Sequence, residues 1–436
     1  MVGWIRRWGL RGLPLVIFVG ACDEDLPTAS QPGLIPVTAQ TVEVRLPFEE
    51  FVGELQVQGG YGAAWELASG QVALRFAEEL TAHTLIQLSA YPQVATVRDP
   101  SGTNRPDSAL TFLDGELVVV LDTLSLRGSD EFGLEVGSLD QDWDFRTATW
   151  EMSVDSINRK VAWEEAGAGP VRLAGSGSYD PEDGDTVRIA VDSATVADWG
   201  DLEDGPAGLR ISALVPGSRG RIRSVQLQIN TLPSINPDTL IQVPVQARNI
   251  TFIHTGSGQP DDGSLRVGGA PAWRSVLLME VADELTGPSE LCAALGCPVR
   301  LTPDRITYAA LVLTSRASPA GFQPRDTLSM DVRPVLAPSL LPRSPLGLTL
   351  VPEGRPLPPE FFGPGAAQMV EVPITLFIQD LIRGERLNGE RAPTGISLLS
   401  SFEPLSLDFH TFGGAGGVDA PVLRILITET NGVNVR

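Results

Sequence analysis

The chain has 436 residues, a formal net charge of −22 at pH 7 and 42% hydrophobic residues. This length is enough for two or three domains with real cores, and it excludes a single small module. So acidic a surface repels phosphate backbones, which argues against nucleic acid as a partner, and it repels anionic polysaccharides unless a cation bridges them. Neutral glycans, cations and other proteins fit this surface better.

The first 22 residues have the pattern of a bacterial lipoprotein signal. Three arginines form a basic start, an apolar stretch covers residues 13–19, and two small residues precede Cys22. The pattern predicts that residues 1–21 are a signal peptide that is removed, and that Cys22 is then acylated. Two or more acyl chains anchor a protein firmly in a lipid bilayer. The alternative is an ordinary cysteine after a transmembrane helix, but the stretch is too short and contains Pro14.

This signal places the protein at a bacterial cell envelope, on the periplasmic or the outer face. Which of the two membranes holds it stays open. Residues 22–39 are acidic, contain three prolines and lack apolar periodicity, which is typical of a flexible tether.

From residue 41 onward, short apolar or alternating runs are separated by Gly, Pro, Asn and Asp, a pattern typical of β-strands. The clearest runs are residues 41–46, 71–76, 84–90, 116–121, 225–229, 275–281, 308–314 and 422–428. Helical periodicity is scarce, and its best examples are residues 192–199 and 376–383. With 45 glycines and 35 prolines between the runs, the sequence predicts an all-β fold of antiparallel β-sandwiches.

Two distant segments of the chain share one pattern. Residues 187–199 and 372–384 each contain an apolar strand that leads into one amphipathic turn, and a further short strand follows each of them. We therefore predict two tandem β-sandwich modules, residues 40–248 and 249–430, ahead of a tail at 431–436. The alternative is that β-sandwich sequences resemble one another by composition alone.

The string Asp142-Trp-Asp-Phe-Arg-Thr-Ala-Thr-Trp150, followed by Val161-Ala-Trp163, is rich in tryptophan and threonine. It resembles the core of DNRLRE-type carbohydrate-binding domains, which are jelly-roll modules of secreted and surface bacterial proteins. The resemblance implies two jelly-roll-like modules and a role in binding sugars. Residues 249–430 have no counterpart of the tryptophan set, so any glycan site is expected in the first module.

Indole rings can stack on the apolar face of a sugar ring. The candidate ligand-binding residues are therefore Trp143, Trp150, Trp163 and Trp199. The alternative, which we favour, is that these side chains pack the core of the sandwich and cover its open end.

An acidic turn follows these tryptophans. Its carboxylates have a spacing that suits a hard cation such as Ca2+, and they belong to Asp180, Glu182, Asp183 and Asp185. The turn lacks the fixed spacing of a helix-loop-helix calcium site, so a solvated acidic loop is the favoured alternative. Apart from this Ca2+, no cofactor is expected.

Cys292 and Cys297 are the cysteines that remain after Cys22. Export to an oxidising compartment favours a disulfide between them. A zinc site is the competing interpretation, but it requires about four ligands, and none of the three histidines is near this pair in sequence.

No histidine lies in a recognisable nucleophile motif, so the sequence predicts a protein without enzymatic activity. We expect a lipid-anchored cell-envelope protein that presents its modules for binding, with polysaccharide as the candidate ligand. One alternative is a structural or assembly lipoprotein that binds envelope proteins. Another is a carbohydrate-active enzyme that uses two of the 54 carboxylates as a pair.

Overall fold

The computed structural model describes most of the chain beyond the predicted tether. The described residues are 38–59, 69–129, 131–156, 158–200, 208–255, 260, 263–269, 272–341, 344–401 and 407–431. The predicted signal peptide at 1–21, the acylation site Cys22 and residues 23–37 of the tether lie outside them.

Contacts divide the chain into two units. The small unit comprises Met1–Thr41 and Thr428–Arg436, and in its described part the hydroxyls of Thr41 and Thr428 hydrogen-bond at 2.9 Å. The large unit is Val42–Ile427.

Fifteen strands precede residue 255 in the described part of the chain. They are β1 (Thr38–Leu46), β2 (Val52–Gln58), β3 (Gly70–Phe76), β4 (Leu80–Leu88), β5 (Ala95–Arg98), β6 (Asn104–Asp107), β7 (Leu110–Arg127), β8 (Gly133–Leu139), β9 (Met152–Asp155), β10 (Lys160–Ala162), β11 (Val171–Ser178), β12 (Thr186–Val191), β13 (Gly208–Ala213), β14 (Arg219–Pro233) and β15 (Ile241–His254).

Eleven more strands follow in the described residues. They are β16 (Leu265–Val267), β17 (Arg274–Met279), β18 (Glu284–Leu285), β19 (Val299–Arg300), β20 (Ile306–Arg316), β21 (Leu328–Val335), β22 (Arg355–Leu357), β23 (Met369–Pro373), β24 (Gly395–Ser400), β25 (His410–Phe412) and β26 (Val422–Asn431).

The α-helices of the described chain are short. They are α1 (Phe48–Phe51), α2 (Ser193–Gly200), α3 (Ser289–Leu295) and α4 (Thr375–Arg383). Strands account for 51% of the described residues and helices of all types for 11%, which confirms the predicted all-β, mostly antiparallel class. No helix within the described ranges has both the length and the apolar character needed to cross a bilayer.

Each predicted strand run overlaps an observed strand, and the two predicted helical segments form α2 and α4. The repeated pattern also has a structural counterpart. In both copies a strand leads into one short helix and then a further strand, as β12-α2-β13 and as β23-α4-β24.

Nine strands before residue 255 form one antiparallel sheet. Its order is β11-β8-β13-β4-β15-β14-β7-β12, with β3 beside β4 and β14. The two outer strands also approach each other, because a Cβ atom on Gly175 of β11 would lie 2.6 Å from the carbonyl oxygen of Ala190 in β12. The sheet therefore curls around an apolar core. This core includes Ile86, Leu117, Val119, Leu134, Ile189, Leu209, Ile211 and Leu227.

Most strands after residue 264 form two further sheets that share one core, as in a β-sandwich, while β18 and β19 form a separate two-stranded sheet. One has the order β2-β17-β24-β21-β22, and the other has the order β1-β26-β20-β25-β16 with β23 beside β20. The core between them includes Leu277, Leu311, Val332, Val372, Ile396 and Ile425.

The first two strands join this later pair of sheets. β2 hydrogen-bonds to β17, and β1 lies next to β26, whereas the nine-stranded sheet begins with β3. Burial explains why β1 and β2 pair with the later sheets, because the side chains of Val44, Phe51 and Val57 belong to the apolar core of those sheets. The division into modules 40–248 and 249–430 stays a prediction.

Candidate functional site: an arginine-lined cavity

The predicted tryptophan site forms a cover over one face of the nine-stranded sheet. Successive residues of a strand point to opposite faces. Ile86 of β4 lies in the core of the curled sheet, and Leu85 faces a separate apolar cluster that contains Trp163. Trp163 is 5% exposed, and its Nε1 donates a hydrogen bond to the Thr149 carbonyl oxygen at 2.9 Å. This indole is therefore a packing residue with its polar atom satisfied.

Trp143 and Trp150 are partly buried against the same cluster. The ring of Trp150 stacks on the imidazole of His83, with centroids 5.1 Å apart and planes at 22°. Arg210 of β13 links the sheet to this tryptophan-containing segment, because its Nη1 donates hydrogen bonds to the carbonyl oxygens of Gly167 and Ala168 at 3.2 and 3.3 Å. The His83 ring thus covers one face of Trp150.

Trp199 does not join this group. It lies on α2, is 2% exposed and belongs to the core of the curled sheet. Its Nε1 donates to the Ser138 hydroxyl at 2.7 Å. The structure therefore brings together three of the four predicted tryptophans.

The acidic turn at 180–185 uses its carboxylates locally. Asp180 accepts a hydrogen bond from the backbone N–H of Glu182 at 2.9 Å and caps a single turn of 3-10 helix. Asp185 lies 3.7 Å from Arg223, while Asp183 is exposed. Across the described residues, no group of three His, Cys, Asp or Glu side chains is placed to hold a metal ion. The turn is thus built as a capped loop, and a Ca2+ site at it stays a prediction.

The predicted disulfide between Cys292 and Cys297 is present, with Cα atoms 4.8 Å apart. Cys292 lies in α3, whose last residue is Leu295, and Cys297 follows two residues later. The bond therefore ties the end of α3 to the start of β19.

The histidine side chains lie in apolar surroundings. Burial lowers the pKa of His83 to about 3, with a smaller contribution from Arg210, and burial lowers the pKa of His410 to about 4. Among the described residues, no histidine nitrogen hydrogen-bonds to a hydroxyl, thiol or carboxylate, and Nδ1 of His254 hydrogen-bonds to the Thr255 carbonyl oxygen at 2.9 Å. A nucleophile activated by histidine requires such a bond.

The most site-like feature is a cavity of about 340 Å³ within the large unit. Its walls come from β3, from the end of β7 and from the start of β14 on one side, and from residues 325–326 and 407–408 on the other. The lining contains four arginines, which are Arg127, Arg219, Arg221 and Arg325. Such a concentration of guanidinium groups is unexpected in a chain with a net charge of −22.

A buried ion pair lies in the lining of the cavity. Arg219, which is 3% exposed, donates from Nη2 to the carboxylate of Asp408 and, at 2.7 Å, to the carbonyl oxygen of Gly321. Its guanidinium carbon lies 4.9 Å from the centre of the Phe76 ring and 5.8 Å from that of Phe322. Burial lowers the pKa of Arg219, and Asp408 opposes this shift.

Arg127 and Arg325 meet at a carbonyl group instead of a carboxylate. Nη1 of Arg127 donates to the carbonyl oxygens of Leu124 and Leu126 at 2.7 and 2.8 Å, and Nη1 of Arg325 donates to that of Leu124 at 2.9 Å. Neither side chain forms an ion pair with a described residue. Each side chain uses only its Nη1 atom in these bonds.

Asp122 lies between two other arginines. It is 3.7 Å from Arg221, which lines the cavity, and 3.4 Å from Arg223, which does not. Asp326 contributes the third carboxylate of the lining, beside Asp122 and Asp408. Four arginines against three aspartates leave a formal excess of one positive charge.

The cavity is not visible in the sequence because its walls come from five separate segments. One local signal was visible, since Arg219-Gly-Arg221-Ile-Arg223 places a cation at every second residue of a strand. An alternating strand of this kind points cations to one face of the sheet.

No protein-family model and no curated protein matches the chain. Among solved structures, the C-terminal domain of the Streptococcus agalactiae AgI/II polypeptide BspA aligns over 91% of this chain and 90% of its own, with 7% identity and a TM-score of 0.09. The C-terminal domain of the Streptococcus pyogenes antigen I/II-family protein AspA aligns over 91% and 90%, with 10% identity and a TM-score of 0.12. Scores this low carry no argument about shared fold or function.

Proposed function

We propose that this chain is a non-enzymatic binding protein, anchored to a cell envelope through acylated Cys22, which takes its ligand into the arginine-lined cavity. The observation that carries the proposal is the cavity itself. Small-molecule sites are concave and have volumes of about 300 to 1,000 Å³, with a few convergent polar groups. The cavity, at about 340 Å³, falls at the lower end of that range.

Polysaccharide is the ligand class that we propose, with one sugar unit in the cavity and the remaining units along the neighbouring surface. The resemblance of residues 142–163 to DNRLRE-type domains supports this class. The tryptophans themselves are a weaker candidate for the sugar site, because Trp163 is buried and one face of Trp150 is covered by His83.

Two other functions remain candidates. A structural or assembly lipoprotein would bind envelope proteins through its sheets, and cross-linking in cells would then return one recurrent protein neighbour. A carbohydrate-active enzyme would need two facing carboxylates. The cavity lining does contain Asp122, Asp326 and Asp408, so turnover has to be measured together with binding.

The proposed function predicts saturable binding without turnover. Full-length protein in a nonionic detergent would be titrated with a panel of neutral and acidic polysaccharides by calorimetry, and the mixtures would then be assayed for new reducing ends. We expect at least one polysaccharide to bind and none to be cleaved. Release of reducing ends would favour the enzyme, and a panel without any binding would favour the assembly protein.

Replacing Cys22 with serine should abolish acylation, because the modification requires the thiol. Metabolic labelling with a fatty-acid analogue and membrane fractionation in a bacterial host would measure the effect. We expect the label to disappear and the protein to leave the membrane fraction, since acyl chains supply the anchor. The matched control replaces Cys292 and Cys297 and should keep the label. Membrane association that survives C22S would contradict an acyl anchor.

A further inference from the structure

We propose that the arginine-lined cavity recognises a single carboxylate group, as found on a sugar acid. This inference rests on the proposed function and makes it more specific, because it names the charged group that the cavity holds. The same chemistry can come from a free sugar acid or from a uronic acid unit of an acidic polysaccharide.

The protein leaves positive charge in the cavity without an ion-pair partner among the described residues. Arg127 and Arg325 share the Leu124 carbonyl oxygen as an acceptor, and neither forms an ion pair with a described residue. Their charges act on each other, because the pKa of Arg127 is lowered mainly by burial and further by Arg219 and Arg325, against the effect of Asp408. A bound anion would relieve this repulsion.

Two arginines of the lining also have hydrogen-bond donors without an acceptor. The Nε atoms of Arg219 and Arg221 are buried without a hydrogen-bond partner, although both side chains line the cavity. A buried N–H without an acceptor is costly, so such atoms need an explanation. A guanidinium offers its donors in a planar fork that matches the two oxygens of a carboxylate.

The net charge of the lining favours an anion of charge −1. The four arginines exceed Asp122, Asp326 and Asp408 by one charge. A carboxylate brings this sum to zero. Phosphate, which carries more than one negative charge near pH 7, would leave an excess of negative charge next to these aspartates.

The cavity also has room for more than the carboxylate. Its volume of about 340 Å³ lies in the range of small-molecule sites. The uncharged residues of the lining, among them Leu124, Gly220 and Leu407, leave part of this space without charge.

The test is calorimetric titration of the full-length protein in nonionic detergent with glucuronate, glucose, inorganic phosphate and a galacturonate oligosaccharide. The variants are R127Q and R325Q, and R188Q is the matched control. Arg188 forms an exposed pair with Glu116 and does not line the cavity. We expect uronate binding that R127Q and R325Q each weaken about tenfold or more, as the loss of a charge-assisted hydrogen bond should, and that R188Q leaves within about twofold.

Glucuronate binding without oligosaccharide binding would identify a free sugar acid as the source, and the reverse would identify a polymer. Both results support the inference. Equal binding of glucose, or tighter binding of phosphate, would overturn it while the proposed binding function survives. Uronate binding that is unchanged in R127Q and R325Q would remove the cavity as its site. If none of the four probes binds, the carboxylate inference is wrong. The proposed binding function is then tested independently by calorimetric titration with the polysaccharide panel.

Discussion

Replacing Arg219 with methionine is expected to lower the free energy of unfolding by about 3 kcal/mol. The guanidinium is 3% exposed and donates to the carboxylate of Asp408, which is itself 9% exposed. Removing one member of a buried ion pair leaves the other in a poorly solvating environment. The variant also loses the contact between the guanidinium and the rings of Phe76 and Phe322.

A double variant distinguishes the interaction energy of the ion pair from the cost of leaving one of its charges buried alone. When Asp408 is also replaced, by leucine, the isolated buried charge disappears, so R219M/D408L should recover a large part of the lost stability. Urea unfolding of the wild type, the two single variants and the double variant gives the coupling energy. The control is R188M, whose exposed pair with Glu116 should contribute no more than about 1 kcal/mol. A loss below about 1 kcal/mol in R219M would show that the ion pair is not needed for stability.

The strands and short helices were predictable because they depend on local patterns. Short apolar runs indicate β7 and β26, and the amphipathic turn at 376–383 indicates α4. The disulfide was predictable from the compartment and from the short spacing between its cysteines.

The partners of each strand were not predictable in the same way. β1 and β2 have ordinary strand sequences, and nothing local indicates that they pair with strands more than 200 residues later. Their place depends on which apolar core buries Val44 and Phe51. The curl of the nine-stranded sheet depends likewise on a close approach between β11 and β12, where Gly175 leaves room for the backbone.

The candidate site was hidden for the same reason. Arg127, Arg219 and Arg325 are about 100 residues apart in sequence, and they meet only because residues 325–326 and 407–408 lie against β3, β7 and β14. The tryptophans of residues 143–163 attracted attention because they are close in sequence. Their proximity instead builds a local cover, in which Trp163 packs on Leu85 and Ile253.

Acidification from pH 7 to pH 5 is expected to lower the free energy of unfolding by about 2 kcal/mol for each of His83 and His410. Burial lowers the pKa of His83 from 6.5 to about 3 and that of His410 from 6.5 to about 4. The folded protein therefore keeps both rings neutral over this range, while the unfolded chain binds protons below pH 6.5. The stabilisation is complete above pH 6.5 and is lost as the pH falls towards the folded-state pKa values.

This pH window separates the histidines from the carboxylates. The pKa values of Asp107 and Asp419 are also lowered from 3.8, by hydrogen bonds, but the stability that they contribute is lost only near and below that value. Burial lowers the pKa of His254 as well, so some dependence on pH should remain when the other two rings are replaced.

The variants H83F and H410F test this account, because phenylalanine keeps an aromatic ring beside Trp150 and Phe362 and cannot be protonated. Urea unfolding of the wild type and of the double variant at pH 7, 6 and 5 would measure the slope of stability against pH. Between pH 7 and pH 5, we expect the free energy of unfolding to fall by about 4 kcal/mol in the wild type and by much less in the double variant. The same slope in both proteins would mean that other groups take up the protons. In that case the two histidines do not cause acid sensitivity, and their burial has no measurable consequence above pH 5.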